Sequence, residues 1–181
     1  MLMVLIGRSG SGKSSIAENL IKRYGYVPVR TATTRERRVG EAKDAYHFLS
    51  HDMFMKKVKN NEFVEWCVYG DSCYGILRKE LQTEGKQVIV LTPEGAEAIK
   101  KEFPDTFIVM VDVDMKTSAL RAIKREPFLD PGKLYRIADR GATDDCLFRN
   151  QGCDYHCQNE NGAVLDNVVD KLAVAHSDFM V

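Results

Sequence analysis

An α/β fold, with a parallel sheet covered by helices on both faces, is what this sequence predicts, from three observations. Short apolar runs alternate with longer amphipathic stretches along the chain. The first run, MLMVLI, is apolar throughout, as a strand buried on both faces must be. A turn rich in glycine and serine leads from that run directly into a helix. Strands are expected at Leu2–Ile6, Val27–Thr31, Val88–Leu91, Phe107–Asp112 and Tyr155–Gln158. Helices are expected at Lys13–Tyr24, Pro93–Phe103, Lys116–Glu126, Leu134–Arg149 and Val164–Phe179. Ile16, Leu20 and Ile21 carry helical spacing, and Pro93 suits a first turn, where the N–H it lacks has no helical partner anyway.

The turn after the first strand reads GRSGSGKSS. Gly7, four intervening residues and then Gly12-Lys13-Ser14 form the phosphate-binding loop pattern G-x-x-x-x-G-K-[ST]. The chemistry needs these residue types: the backbone N–H groups of Ser9, Gly10, Ser11, Gly12, Lys13 and Ser14 can turn inward on an anion, and the helix start adds positive potential. Lys13 is placed to bridge the outer phosphates of a nucleoside triphosphate as a compact charge. The Ser14 hydroxyl is placed to take one position on Mg2+, with Ser15 beside it.

At 181 residues the chain suits one domain. Lys plus Arg and Asp plus Glu number 26 each, so no overall field draws it to nucleic acid or a membrane. The opening apolar run is too short for a spanning helix or a signal peptide and is needed as a strand, which points to the cytoplasm. The five cysteines, an odd number without CxxC spacing, suit reduced thiols. Cys153, His156 and Cys157 make a poor metal set, because on a strand His156 and Cys157 point to opposite faces.

Two segments depart from the simple alternation. Residues 32–83 hold a basic stretch, TTRERRVGEAKD, a helical piece with Met53, Phe54 and Val58, and strand-like runs around EFVEWCVYG, and are expected to form an inserted lobe. Residues 126–133, EPFLDPGK, lie between two arginine-bearing helices and are expected to form a mobile lid. The core is then residues 1–31 and 84–181, with the lid at about 126–135. Arg35, Arg37 and Arg38 precede the lobe, and Arg121 with Arg125, then Arg136 with Arg140, repeat a spacing of four. Forked guanidiniums match phosphate oxygens, above all where transferring phosphoryl charge must be held in line.

Through TTRERRVGEAKDAYHF, NNEFVEWCVYGDSCYG and the phosphate loop, the chain resembles the guanylate kinase family of nucleoside monophosphate kinases. The resemblance implies a P-loop NTPase-type parallel sheet, with an acceptor-binding lobe and a lid that close together. It implies transfer of the terminal phosphoryl of ATP to GMP or dGMP with Mg2+. It further implies that Arg35, Arg38, Tyr46 and Tyr74 grip the acceptor phosphate, that Glu65 accepts hydrogen bonds from guanine, and that Thr31 helps read the base. Arg125 and Arg136 match the family's lid arginines, Arg121 another on the preceding helix, and Asn159 an asparagine beside the adenine. Small nucleotides are the implied partners of a monomer or homodimer.

The chain departs from the family where an LDIDxQG-like stretch is usual. Here VLTPEG puts Val90 and Thr92 in place of two aspartates, leaving Thr92 one uncharged acceptor for the base. Ile76 stands where a hydroxyl is frequent, and the connection from Arg38 to Tyr46 is one residue short. Asp112 and Asp114 end a strand where ligands gather, and either can serve a metal's water shell or cap the next helix, the cap being favoured for Asp114. Two further readings stay open: a kinase for another acceptor, such as a different nucleoside monophosphate or ribose 1,5-bisphosphate, and a related interaction module without catalysis.

Overall fold

The structure is a computed structural model and describes residues 1–37, 41–69, 71–81, 84–124, 130–132, 134, 135, 138, 152–160 and 164–180. Its core is a five-stranded parallel sheet. From one edge to the other run β2 (Val27–Pro28), β7 (Gln87–Val90), β1 (Leu2–Ile6), β8 (Phe107–Asp112) and β9 (Tyr155–Gln158). β1 is central, with Val4 opposite Ile89 on one side and Ile108 on the other.

Both faces of this sheet are covered, which accounts for the unbroken apolar run in β1. Met3 and Leu5 face α1 (Lys13–Tyr24) and α5 (Leu165–Phe179), packing with Ile16, Leu20, Val169 and Leu172. Leu2, Val4 and Ile6 face the other way and pack with Ala96 and Ile99 of α3 (Pro93–Glu102). Alternation thus persists, but each side chain meets a helix whichever way it points. α4 (Met115–Lys124) follows β8, its first turn held by the Asp114 carboxylate, which accepts the Thr117 N–H at 2.8 Å. The Thr117 side chain first, and then that backbone bond, hold the Asp114 carboxyl below its ordinary range. The cap reading of Asp114 is the one the geometry supports.

The strand expected over residues 27–31 is divided. Val27–Pro28 pairs with β7, and the Val29 N–H still reaches the Val88 carbonyl, but the chain then leaves for a second sheet. That sheet has the order β4 (His47–Phe48), β3 (Ala32–Thr33), β6 (Ser72–Leu77), β5 (Phe63–Tyr69). Pro28 is tolerated on this edge because the N–H groups that bond across to the Lys86 and Val88 carbonyls are those of Val27 and Val29, on either side of it. α2 (His51–Lys59), capped by Ser50, closes the lobe by burying Phe54 against the Phe63 ring at 4.4 Å between centroids. Gly75 is dictated by this packing: a side-chain carbon there would come within 3.0 Å of the Phe63 ring and the Trp66 stem. The helix expected over 134–149 lies almost wholly outside the described residues.

Lobe and core are tied where the chain crosses between them. Arg30 Nε donates to His47 Nε2 at 3.0 Å, and the Glu80 carboxylate approaches the same nitrogen to 2.8 Å. Glu80 sits in a short 3-10 turn over Arg78–Leu81, whose backbone accepts from the Gln87 side chain of β7. Arg78 pairs with Glu102 at the end of α3.

His176 of α5 is fully buried, stacked on Phe107 at 5.3 Å, with its Nδ1 2.7 Å from the Tyr26 hydroxyl. Its Nε2 has no hydrogen-bond partner among the described residues, so charging the ring would bury an unmet N–H. Burial first, then the charges of Lys86 and the N-terminus, bring its pKa down to about 4. The unfolded chain therefore takes up this proton first as pH falls below about 6.5. Stability from the neutral ring is complete above that value and is lost progressively toward pH 4. Denaturant titrations of the protein and of His176→Phe are expected to show about 2 kcal/mol more loss between pH 7 and pH 5 for the histidine protein. Equal slopes would assign the acid sensitivity to other groups.

Candidate active site

The phosphate loop is shaped by glycines that no other residue can replace. Gly7, Gly10 and Gly12 have φ of 140°, 81° and 94°. At each, an added side-chain carbon would fall within 3.0 Å of a neighbour: the Val111 carbonyl of β8, the Ser118 carbonyl of α4 and the Asn159 amide after β9, respectively. The loop is thus pressed against three elements from the other end of the core. Ser11 is fully buried, its N–H donating to the Arg8 carbonyl at 3.1 Å and its carbonyl accepting from Asn159 Nδ2 at 2.7 Å.

Lys13 opens α1, and its ammonium donates to the Gly7 and Arg8 carbonyls at 2.6 and 2.8 Å, which holds it over the loop. Ser9 and Ser15 are half-buried, whereas Ser14 is exposed in the first turn of α1. Arg121 reaches the same place from α4, with its guanidinium 3.5 Å from the Gly10 carbonyl and 3.3 Å from that of Glu160. The Asn159 side chain is buried and its amide donates into the loop backbone. Arg125 and Arg136 lie outside the described residues.

In the lobe, Arg35, Tyr46 and Tyr74 come together. The Arg35 guanidinium lies 5.4 Å from the Tyr46 ring centre and 5.8 Å from that of Phe48, and the two tyrosine rings meet edge-on at 6.5 Å. Its backbone N–H is fixed by the buried Thr33 hydroxyl. Glu41, which sequence reasoning passed over, pairs with Arg35 at 2.7 Å and raises the guanidinium's hold on its proton. The signal available was only a carboxylate in the same basic loop. Arg38 lies outside the described residues. Thr31 is half-buried at the first crossing into the lobe, its carbonyl accepting from the His47 N–H.

Glu65 is half-buried on β5, which packs against the start of α3: a side-chain carbon at Gly95 would lie 3.6 Å from the Glu65 carboxyl carbon. Burial, and then the negative charge of Glu94, push the Glu65 carboxyl up. Thr92 caps α3, its hydroxyl oxygen accepting the Gly95 N–H at 3.3 Å. Val90 packs on the core face shared with α1, and Ile76 is fully buried. Asp112 is engaged by His156 Nδ1 at 2.8 Å. His156 is exposed and Cys157 buried, and among the described residues no three His, Cys, Asp or Glu side chains gather as a metal site.

The guanylate kinase family model matches residues 1–142, a span that includes the loop, the lobe and the basic segment beyond α4. The chain belongs to the guanylate kinase family. The guanylate kinase of Thermotoga maritima is 33% identical over 168 residues, covering 88% of this chain and 79% of that protein. The guanylate kinase of Onion yellows phytoplasma is 38% identical over 148 residues, covering 76% and 69%. Among solved structures, guanylate kinase from Anaplasma phagocytophilum superposes with a TM-score of 0.67 at 19% identity, over all of this chain and 87% of that one. A gluconokinase from Sinorhizobium meliloti shares the fold more distantly, with a TM-score of 0.53 at 16% identity and coverage of 97% and 91%.

Gly12→Ala tests the loop's construction. The substitution strains a left-handed residue and drives a methyl into Asn159, so a loss of about 2 kcal/mol in denaturant melts is expected. ATP binding by calorimetry is expected to vanish with it. Unchanged stability and binding would show that the loop yields at this point.

Proposed function

We propose that this chain transfers the terminal phosphoryl group of ATP to GMP or dGMP, giving ADP and GDP or dGDP. The observation that carries the proposal is the presence, in one molecule, of an intact Gly12-Lys13-Ser14 loop and a lobe cluster of Arg35, Tyr46 and Tyr74. Membership of the guanylate kinase family supports the donor and acceptor. The loop amides between Ser9 and Ser14, apart from that of Ser11, which donates to the Arg8 carbonyl, take the donor's phosphates, and Lys13 moves from the Gly7 and Arg8 carbonyls to the outer ones. Arg35 and Arg38 neutralise the acceptor's phosphate, while the Tyr46 and Tyr74 hydroxyls fix its direction. Glu65 accepts from the guanine ring N–H and amino group, with Thr31 beside it.

The donor set fits Mg2+ bound through one protein hydroxyl. Ser14 is exposed at the loop's mouth, and Mg2+ ordinarily keeps phosphate oxygens and water as its remaining ligands. When bound, the ion supplies charge neutralisation between the outer phosphates. An acceptor phosphate oxygen, already anionic, forms the new bond to the γ-phosphorus as the bond to the bridging oxygen breaks and ADP leaves. No side chain has to remove a proton. Alignment, with positive charge from Lys13 and Arg121 and from the lid residues Arg125 and Arg136, does the catalytic work. Closure of the lid excludes water from the γ-phosphorus. No helix among the described residues is long and apolar enough to cross a membrane.

The test is ADP formation from Mg-ATP with each of several purine and pyrimidine monophosphates, ribo and deoxy, and ribose 1,5-bisphosphate, against a control without acceptor. Turnover with GMP and dGMP is expected. Turnover with another acceptor and none with GMP would mean that VLTPEG marks a changed specificity. Lys13→Ala is expected to bring kcat below about one hundredth of the original with an unchanged thermal melt. Near-normal kcat in that variant would remove the loop from the mechanism.

A further inference from the structure

We propose that Glu94 is a second carboxylate reader of the acceptor base, acting beside Glu65 in place of the aspartates this chain lacks. The inference rests on the guanine-nucleotide reading given above. Glu65 reaches the site from β5 in the lobe, and Glu94 from the first turn of α3 in the core. The close approach of the Gly95 position to the Glu65 carboxyl carbon places that carboxyl over the turn made by Thr92, Pro93 and Glu94.

The candidates for a second acceptor there are few. Val90 and Ile76 are apolar and packed into the core. Thr92 spends a lone pair on capping α3. Pro93 is buried and brings no polar side chain. Glu94 is exposed, and neither it nor Glu65 has a hydrogen-bond donor or a cation as partner among the described residues. Glu94 directly precedes Gly95, whose position approaches the Glu65 carboxyl carbon, and its negative charge adds to burial in pushing the Glu65 carboxyl up.

Two neighbouring carboxylates repel unless donors lie between them. Guanine offers such donors together, as a ring N–H and an exocyclic amino group. Adenine turns a bare ring nitrogen toward the same place, and hypoxanthine keeps the ring N–H but has no amino group. A pair of acceptors that must each find a donor therefore ranks these bases in the order guanine, hypoxanthine, adenine. Glu94 adds the part of the ranking that depends on the second donor.

The experiment measures kcat and KM of the full chain with GMP, IMP and AMP at saturating Mg-ATP. Glu94→Gln, Glu94→Asp, Glu65→Gln and the double Gln variant are compared. Glu94→Gln is expected to raise KM for GMP by about tenfold to a hundredfold and to narrow the GMP to IMP ratio of kcat/KM by a similar factor. KM for ATP is expected to stay in place, which separates base reading from misfolding, and Glu94→Asp should recover part of the loss. The double variant should lose less than the product of the single losses, since the two groups read one base. A Glu94→Gln enzyme whose KM for GMP and GMP to IMP ratio stay within about twofold, while Glu65→Gln shifts both, overturns the role of Glu94 and leaves the kinase reading standing. Absence of GMP turnover in the unsubstituted protein overturns the kinase reading itself, and this inference with it.

Discussion

The phosphate loop can exist only because two backbone carbonyls and one side-chain amide come closer to it than a side chain on the loop would allow. Val111, Ser118 and Asn159 press on Gly7, Gly10 and Gly12, and each belongs to an element far along the chain. The cradle is therefore completed by residues that come late in the sequence, and its geometry is inherited from the core. This explains why both faces of β1 must be covered. A strand free to shift by a residue would carry the whole loop with it. The apolar packing of α1 and α5 on one side and α3 on the other fixes the register on which the cradle depends.

The lobe built on the second sheet solves a different problem. Its strands are short, and β3 and β4 have two residues each, so side-chain clusters do much of the positioning. The Phe54 and Phe63 stack fixes α2 on β5, and the Arg35 cage gathers a carboxylate, two aromatic rings and a backbone anchor around one guanidinium. A chain with no net charge thus places a guanidinium among aromatic rings and balances it with the Glu41 carboxylate. Glu41 keeps the Arg35 guanidinium among those rings, so less ordering is left for the encounter with a ligand.

Much of this was legible in the sequence because it rests on local rules. The bounds of β1, α1, β8 and β9 follow from apolar runs, a glycine turn and helical spacing, and the Asp114 cap from its place before a helix. The division of β2 from β3 was less legible, since Val27 to Thr31 has strand composition throughout and only Pro28 hinted at an early end. The role of Asn159 was hidden for another reason. Its partner, the Ser11 carbonyl, is 148 residues away and is a backbone atom that no motif marks. Glu41 was similarly obscure, because a carboxylate among charged neighbours reads as solvated surface until folding shows what it faces.

The shortness of β2 reaches beyond the register of the core sheet. An open sheet normally ends in a row of unpaired amides and carbonyls on which another strand can grow. Here that border is two residues long, one of them proline, and the chain turns away at once to build the lobe. The sheet offers no template for an incoming chain along this side, so any self-association there must proceed through side chains and not through an extended ladder.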